Sequence, residues 1–263
     1  MDKLINGARI HYRRSGFGFP VMFLHAGVAD SRMWEPQATG LANHFDVIAP
    51  DRRGYGDSEL PAGPWSPVAD VLALMDALGL RDAPHIVGSS IGGMLAIDFA
   101  LEHPERVSKL VLVGAGVGGL HEDAKYKDLY AEVMAAEDAH DSAALNEAEA
   151  HLWLDGPGRA PGHVNKHLRD LFLDMNGKAL RSDFDGAPEQ ELEPPAVGRL
   201  GEIKSPTLVV VGDADMQPIK ETADLLVSQI RGARKAVIHD AAHLPNLEHP
   251  DKFNRLLVDF LNG

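Results

Sequence analysis

The chain of 263 residues contains no cysteine. This absence excludes disulfide bonds, thiol nucleophiles and thiolate metal ligands, and it leaves the redox compartment open. Basic residues are also scarce, because 25 Lys and Arg stand against 39 Asp and Glu, which gives a formal net charge of −14. Such an excess of negative charge argues against binding to nucleic acid or to anionic membrane surfaces. It does not by itself indicate a cationic substrate, because acidic surfaces are usually just solvated.

Long apolar runs are missing as well. No stretch approaches the length of a transmembrane helix, and residues 1–12 (MDKLINGARIHY) lack the apolar segment of a signal peptide. We therefore expect a cytoplasmic protein without a membrane partner. The hydrophobic content of 44% and charged content of 24% are ordinary for a globular chain with a sizeable core.

Short apolar runs alternate with segments of helical periodicity over most of the chain. The expected strands are residues 8–12, 21–24, 45–49, 85–87, 109–113, 207–211 and 236–239. The expected helices are residues 31–41, 67–78, 91–103, 219–230 and 250–261. This alternation predicts βαβ units and an α/β fold with a mostly parallel central sheet flanked by helices.

The alternation stops after Gly114. Residues 119 to about 197 contain no strand-like run, but residues 126–136, 143–154 and 164–175 have helical periodicity. We interpret this segment as a helical lid inserted into one α/β domain. The chain then divides into a first core segment (1–118), a helical lid (119–198) and a second core segment (199–263).

Residues 84–94 (PHIVGSSIGGM) have the pattern of a nucleophile elbow. A strand turns directly into a helix, and Gly88 and Gly92 lie two residues on either side of Ser90, where side chains would crowd the turn. The helix that follows directs free N–H groups and a positive dipole end at the place where an oxyanion would form. Ser89 lacks this glycine spacing and is interpreted as a filler residue.

A serine hydroxyl needs a base within hydrogen-bonding distance and a third group to orient that base. Open parallel sheets place such groups at the carboxyl ends of their strands. Two predicted strands end in suitable residues, one in GDAD (212–215) and the other in HDAAHLP (239–245). The chain order is therefore serine, aspartate, histidine, which is the order of the α/β-hydrolases.

With these motifs, the sequence resembles the α/β-hydrolase fold family over nearly its whole length. The motifs are LHAG (24–27), DRRGYGDS (51–58), the elbow, GDAD (212–215) and AHLPNLEHP (242–250). Within that family the chain looks most like small bacterial esterases, enol-lactonases of aromatic catabolism and cofactor-free haloperoxidases.

The resemblance implies a role for individual residues. Ser90 would be the nucleophile, His243 the general base and then acid, and Asp215 the carboxylate that orients His243; Asp213 is the alternative acid. The backbone N–H groups of Ile91 and Gly27 would form the oxyanion hole, with the N–H of residue 28 as the alternative to Gly27. The family pattern has glycine where this chain has Ala26, so a positive φ there would cost roughly 1 kcal/mol.

Other residues have plausible structural or functional roles. We interpret His25 as a structural hydrogen-bonding group behind the oxyanion loop, and the Arg52-Arg53 pair as part of a structural loop instead of a phosphate site. The spacing of His163 and His167 could suit a metal on a helix, but no third ligand is evident. We predict no metal site.

The predicted lid should roof the pocket over the nucleophile and so determine substrate choice. Its candidate apolar contacts are Trp153, Leu154, Phe172, Leu173 and Met175. Each of these residues could instead pack between the lid and the sheet. Trp153 is the preferred candidate for a contact with substrate.

The resemblance implies a serine hydrolase that cleaves a carboxylic ester or lactone of a small molecule through an acyl-enzyme. It requires no cofactor, and the sequence leaves the oligomeric state undetermined. Three alternatives remain open. They are a C–C bond hydrolase of ring-cleavage products, a cofactor-free haloperoxidase or perhydrolase, and a binding protein with a vestigial triad.

Overall fold

The sheet of this protein is mostly parallel. The strands are β1 (Asp2–Ile5), β2 (Ala8–Gly16), β3 (Phe19–Leu24), β4 (Phe45–Pro50), β5 (His85–Ser89), β6 (Leu110–Val113), β7 (Thr207–Gly212) and β8 (Arg234–Ile238). The computed structural model describes residues 1–121, 123–182 and 184–263, and these strands form one sheet in the order β1-β2-β4-β3-β5-β6-β7-β8. Only the β1–β2 and β2–β4 pairs are antiparallel. The predicted α/β class with a mostly parallel sheet is confirmed.

Helices cover both faces of the sheet. The α-helices of the described residues are α1 (Glu35–Leu41), α2 (Pro67–Ala77), α3 (Ile91–Glu102), α4 (Ala131–Asp138), α5 (Ser142–Glu149), α6 (Lys166–Ala179), α7 (Gln217–Gln229), α8 (Pro245–Glu248) and α9 (Pro250–Asn262). Met22 and Leu24 pack in the core beneath α2, α3 and α7, whereas Val21 and Phe23 pack in the core beneath α1 and α9. Because both faces are covered, the central strands are mostly apolar on both faces.

The N-terminal hairpin differs from the sequence prediction. The first strand is not residues 8–12, because β1 precedes it and β2 continues to Gly16. Asn6 and Gly7 connect the two strands, and both have positive φ, 46° and 82°, as in a type I′ turn. An Asn-Gly pair is a strong hairpin signal, and it marks this turn although β1 itself was not predicted. The strand β1 has no apolar run because most of it is not buried.

Helices also form the segment between β6 and β7. Within its described residues there is no strand, and a π-helical turn, Ala150–Asp155, follows α5 directly. Phe172 and Met175 of α6 are fully buried in the same core as α1 and α9, and so is Leu154. Three of the five expected apolar contacts therefore pack in the core. The division at residues 119 and 198 and the role of this segment as a lid remain predictions.

Among the described helices, none has both the length and the apolar character needed to cross a bilayer.

Candidate active site

Ser90 lies at a strained corner between β5 and α3. Its backbone has φ 55° and ψ −118°, a conformation that costs energy for any residue other than glycine. The Ser90 N–H donates to the Val113 carbonyl at 2.8 Å, and the Ser90 carbonyl accepts from the N–H groups of Gly93 and Met94 at 2.9 and 3.0 Å. Bonds from the neighbouring strand and from α3 therefore hold the strained conformation.

Close backbone contacts explain both glycines of the elbow. A Cβ atom on Gly88 would lie 2.3 Å from the Gly92 carbonyl oxygen, and one on Gly92 would lie 2.4 Å from the carbonyl oxygens of Leu24 and His25. Such distances leave no room for a side chain. Ser89 is fully buried whereas Ser90 is partly exposed, so only Ser90 can meet a ligand from solvent.

His243 and Asp215 form a buried pair at the ends of β8 and β7. The His243 Nδ1 lies 2.9 Å from Asp215 Oδ2, and both side chains are 1% exposed. The other carboxylate oxygen, Oδ1, accepts from the Met216 backbone N–H at 2.8 Å, which fixes the plane of the carboxylate. The His243 Nε2 is buried and has no hydrogen-bond partner among the described residues. It is therefore available to accept a proton.

Gly114, at the end of β6, lies next to both Ser90 and the His243 ring. Ser89 of β5 lies opposite Val113 of β6, so the next residues along, Ser90 and Gly114, are neighbours where these strands end. A Cβ atom on Gly114 would lie 3.0 Å from two atoms of the His243 ring. The absence of a side chain at Gly114 makes room for the imidazole at this end of the sheet.

Asp213, the alternative acid, contacts a different histidine. Its carboxylate accepts from the Asp240 backbone N–H at 2.8 Å and lies 2.9 Å from the His239 Nδ1, and its side chain is 43% exposed. These bonds fasten the turn after β8. The structure thus pairs Asp215, and not Asp213, with His243.

The predicted oxyanion loop follows β3 and lies against the start of α3. A Cβ atom on Gly27 would lie 3.4 Å from the Ile91 side chain. In the part of the chain that the structure describes, the N–H groups of Gly27 and Ile91 donate to no protein acceptor. Ala26 is not among the residues with positive φ, so the strain expected there does not arise.

His25 supports this loop from behind. Its Nδ1 donates to the Ala26 carbonyl at 2.8 Å, and its Nε2 accepts from the Arg52 backbone N–H at 2.9 Å. Burial, together with the nearby charge of Arg52, lowers the pKa of His25, so the ring is neutral, as this pattern of one donor and one acceptor requires. Both ring nitrogens are occupied by structural bonds.

The loop of residues 51–58 is held by its own ion pairs. Arg53 pairs with Asp70 at 2.5 Å, and Arg52 pairs with Glu189 at 2.6 Å. Both arginine side chains are buried as well as paired, which argues against a phosphate site here.

Nearby, His11, Asp51 and Asp57 have possible ligand atoms within 4.8 Å of one another. Both carboxylate oxygens of Asp51 already accept backbone N–H groups, from Ser31 at 2.7 Å and from Asp57 at 2.9 Å. These hydrogen bonds stabilise the loop, and they explain the cluster without a metal ion.

Trp153 contacts His243 directly. The centroids of the indole and imidazole rings are 4.6 Å apart, and the Trp153 carbonyl accepts from the His243 backbone N–H at 3.2 Å. Trp153 is also partly exposed. The preferred contact residue of the predicted lid thus lies against the candidate base.

An open pocket of about 510 Å³ adjoins the oxyanion loop. Its lining residues are Gly27, Tyr55, Glu137, Glu149, Asn176, Ala179, Leu180, Ser182, Phe184 and Asp185. Three are acidic, and none of the described lining residues is basic. Burial raises the pKa of Glu149, while a 2.5 Å hydrogen bond from Asn176 opposes that effect. The pocket therefore offers no countercharge to an anionic group.

Sequence reasoning missed two residues that contact the loop of His243. Glu248 accepts from the Ala242 backbone N–H at 2.8 Å, and Arg159 reaches Glu248 from the segment between β6 and β7. Burial raises the pKa of Glu248 to about 7. Glu248 lies within the AHLPNLEHP motif, which was a signal for it, whereas nothing local distinguishes Arg159.

Comparison with known proteins agrees with this geometry. The family described as alpha/beta hydrolase fold matches residues 20–250 of this chain. The chain belongs to the α/β-hydrolase family. The family assignment made from the sequence motifs is therefore confirmed.

The names of proteins similar to this α/β-hydrolase describe hydrolases of more than one class of substrate. The chain is 33% identical to the 2-hydroxy-6-oxo-6-phenylhexa-2,4-dienoate hydrolase of Comamonas testosteroni, over 99% of this chain and 93% of that protein. It is 31% identical to the 2-hydroxymuconate semialdehyde hydrolase of Pseudomonas sp. strain CF600, over 97% and 91% of the two chains. The enol-lactonase from Burkholderia xenovorans LB400 is similar in structure, with a TM-score of 0.80, 27% identity and full coverage of both chains. The protein is accordingly a hydrolase.

Proposed function

We propose that this α/β-hydrolase cleaves a carboxylic ester or lactone through an acyl-enzyme on Ser90. The observation that carries the proposal is the buried His243–Asp215 pair at 2.9 Å, whose Nε2 has no partner among the described residues and whose ring lies against Gly114, next to the elbow. A base oriented by a carboxylate beside a strained serine is the arrangement that activates a hydroxyl nucleophile.

The proposed reaction has two halves. The Ser90 Oγ attacks the substrate carbonyl carbon while the His243 Nε2 takes the hydroxyl proton, and the oxyanion accepts from the N–H groups of Ile91 and Gly27. The C–O bond to the leaving alcohol then breaks, and His243 returns the proton to that oxygen. Water, deprotonated by His243, then adds to the acyl carbon, the bond from that carbon to Ser90 Oγ breaks, and His243 returns the proton to Oγ as the acid leaves. Each oxyanion donor is typically worth about 3 kcal/mol of the barrier.

The acidic pocket supports a neutral or cationic substrate. Glu137, Glu149 and Asp185 line the space beside Gly27, where a bound acyl or alcohol group would lie. A carboxylate there would meet like charges without a basic partner, which weakens binding. An uncharged ester or lactone avoids this repulsion. Trp153, beside His243, is our proposed contact for the apolar part of such a substrate.

A second candidate is hydrolysis of a C–C bond in a ring-cleavage product. The names of the two relatives at 33% and 31% identity favour it. Those names describe carboxylate or semialdehyde substrates with a conjugated chain. The acidic pocket of this chain argues against a substrate carboxylate beside Gly27, so we place this candidate second.

A direct assay separates the two candidates. The wild type and Ser90→Ala are compared on p-nitrophenyl esters from acetate to decanoate, on uncharged lactones, and on a vinylogous 1,5-diketone carboxylate. We expect turnover of the esters or lactones that disappears in the variant. A tenth of the activity surviving in Ser90→Ala would disprove the nucleophile, and turnover of the diketone alone would establish the C–C reaction instead.

A further inference from the structure

The segment of residues 239–249, which includes α8, carries His243 between β8 and α9, and its start is strained. Asp240 has a φ of 61°, which is unusual for a residue other than glycine. Three contacts hold it: its N–H donates to Asp213 at 2.8 Å, its carbonyl accepts from the His249 Nε2 at 2.7 Å, and its carboxylate accepts from Arg159 at 2.7 Å. The contact from Arg159 reaches Asp240 from the segment between β6 and β7, outside the sheet.

The segment between β6 and β7 lies directly on residues 239–249. The Trp153 carbonyl accepts from the His243 N–H at 3.2 Å. A Cβ atom on Gly156, whose φ is 93°, would lie 2.9 Å from the Ala214 carbonyl oxygen and 3.1 Å from the Ala242 side chain. The same short stretch thus touches the loop of the acid and the loop of the base.

Glu248 connects that stretch to the backbone just before His243. Its side chain is only 5% exposed. One carboxylate oxygen accepts from the Ala242 N–H at 2.8 Å, and the other accepts from Arg159 Nη1 at 3.3 Å. Burial of this carboxylate raises its pKa to about 7 although Arg159 and the Ala242 N–H oppose the effect. The buried Glu248 side chain thus joins the Arg159 guanidinium to the peptide N–H that immediately precedes His243.

We propose that Glu248 and Arg159 form a clamp that positions His243 for proton transfer with Ser90. Glu248 fixes the peptide that precedes His243, and Arg159 fixes both Glu248 and Asp240. The proposal rests on the proposed function, in which His243 is the base. Neither residue touches substrate; both are positioning residues. Their effect follows from geometry, because proton transfer requires hydrogen-bond contact and a displacement of about 1 Å can reduce a rate about a hundredfold.

Paired substitutions of Glu248 test the clamp. Glu248→Ala removes the acceptor for the Ala242 N–H, whereas Glu248→Gln keeps an amide oxygen in that place. Glu202→Gln is the matched control, because Glu202 pairs with Arg199 and is 58% exposed. We expect Glu248→Ala to lower kcat for p-nitrophenyl acetate about tenfold or more with KM within twofold of wild type. Glu248→Gln should recover only part of kcat, because its amide oxygen still accepts from the Ala242 N–H whereas its NH₂ group faces the Arg159 donor. Glu202→Gln should match the wild type.

The rate at which a phosphonate labels Ser90 is the second readout, because it depends on His243 but not on the choice of substrate. It should fall in parallel with kcat. Arg159→Ala removes the other half of the clamp and should lower the labelling rate by about threefold or more. It replaces Glu248→Ala in the test if that variant does not fold. Equal losses in Glu248→Ala and Glu248→Gln, or labelling at the wild-type rate in both Glu248→Ala and Arg159→Ala, would overturn the proposal.

The same measurements separate this proposal from the proposed function. A wild type that is labelled but hydrolyses no ester or lactone contradicts the proposed substrate class, while the ratio of labelling rates still decides on the clamp. A wild type that is neither labelled nor active contradicts both, since there would then be no working base to position.

Discussion

Asp215→Asn is the substitution for which the structure fixes the outcome most firmly. The Asp215 Oδ1 accepts from the Met216 N–H at 2.8 Å, and Oδ2 faces the His243 Nδ1 at 2.9 Å. An asparagine must direct its carbonyl oxygen at the Met216 N–H, because two facing donors repel. Its NH₂ group then faces Nδ1 and donates to it. The imidazole proton moves to Nε2, which can no longer take a proton from Ser90.

The magnitude follows from the loss of the correct tautomer. In a Ser-His-Asp enzyme this change lowers kcat by about 10⁴-fold, or about 5 kcal/mol of barrier. The fold should survive, because asparagine has the volume of aspartate and keeps the bond to Met216. We therefore expect a protein with a near wild-type melting temperature and almost no turnover.

Asp213→Asn is the matched control for the assay. Asp213 is 43% exposed, and its partner His239 is 82% exposed, so their pair contributes little. An asparagine there can still accept from the Asp240 N–H. We expect kcat within about threefold of wild type. Steady-state hydrolysis of one ester by both variants, with melting curves alongside, is sufficient. The reasoning is refuted if Asp215→Asn keeps more than a hundredth of kcat or if Asp213→Asn loses more.

Two further predictions concern stability. Gly88→Ala should lower the free energy of unfolding by about 2 kcal/mol or more, because the new Cβ atom would lie 2.3 Å from the Gly92 carbonyl oxygen; an unchanged midpoint in urea would contradict this. Burial, with a smaller effect from Glu102, raises the pKa of Asp98 from 3.8 to about 6. The folded protein therefore binds this proton more tightly than the unfolded chain, and stability is lost as the pH rises from about 4 to about 6. Asp98→Asn should be more stable than wild type by about 2 kcal/mol at pH 8 but not at pH 4, and equal urea midpoints at pH 8 would count against it.

Local patterns were enough to predict most of the fold and the position of the elbow. The central strands are apolar on both faces because both faces are covered, so their sequence reveals them without tertiary information. The glycines around Ser90 are required because a Cβ atom on Gly88 or Gly92 would lie 2.3 or 2.4 Å from a backbone carbonyl oxygen of the turn. The strand β1 escaped this reasoning because it has no apolar run, although the Asn6-Gly7 turn marked it.

The sequence by itself determined the family and the order of serine, aspartate and histidine along the chain. It also determined that each of them lies at the end of a strand. Only the tertiary structure decided which aspartate pairs with His243. Asp213 and Asp215 are two residues apart in one loop, and the path of that loop against the turn after β8 gives each its partner. Only the tertiary structure brought Trp153 onto the imidazole and Arg159 onto Glu248, because these contacts join segments about 90 residues apart. Residue types reflect the local backbone geometry that they and their chain neighbours adopt. Contacts between distant segments depend instead on how the whole sheet and its helices pack.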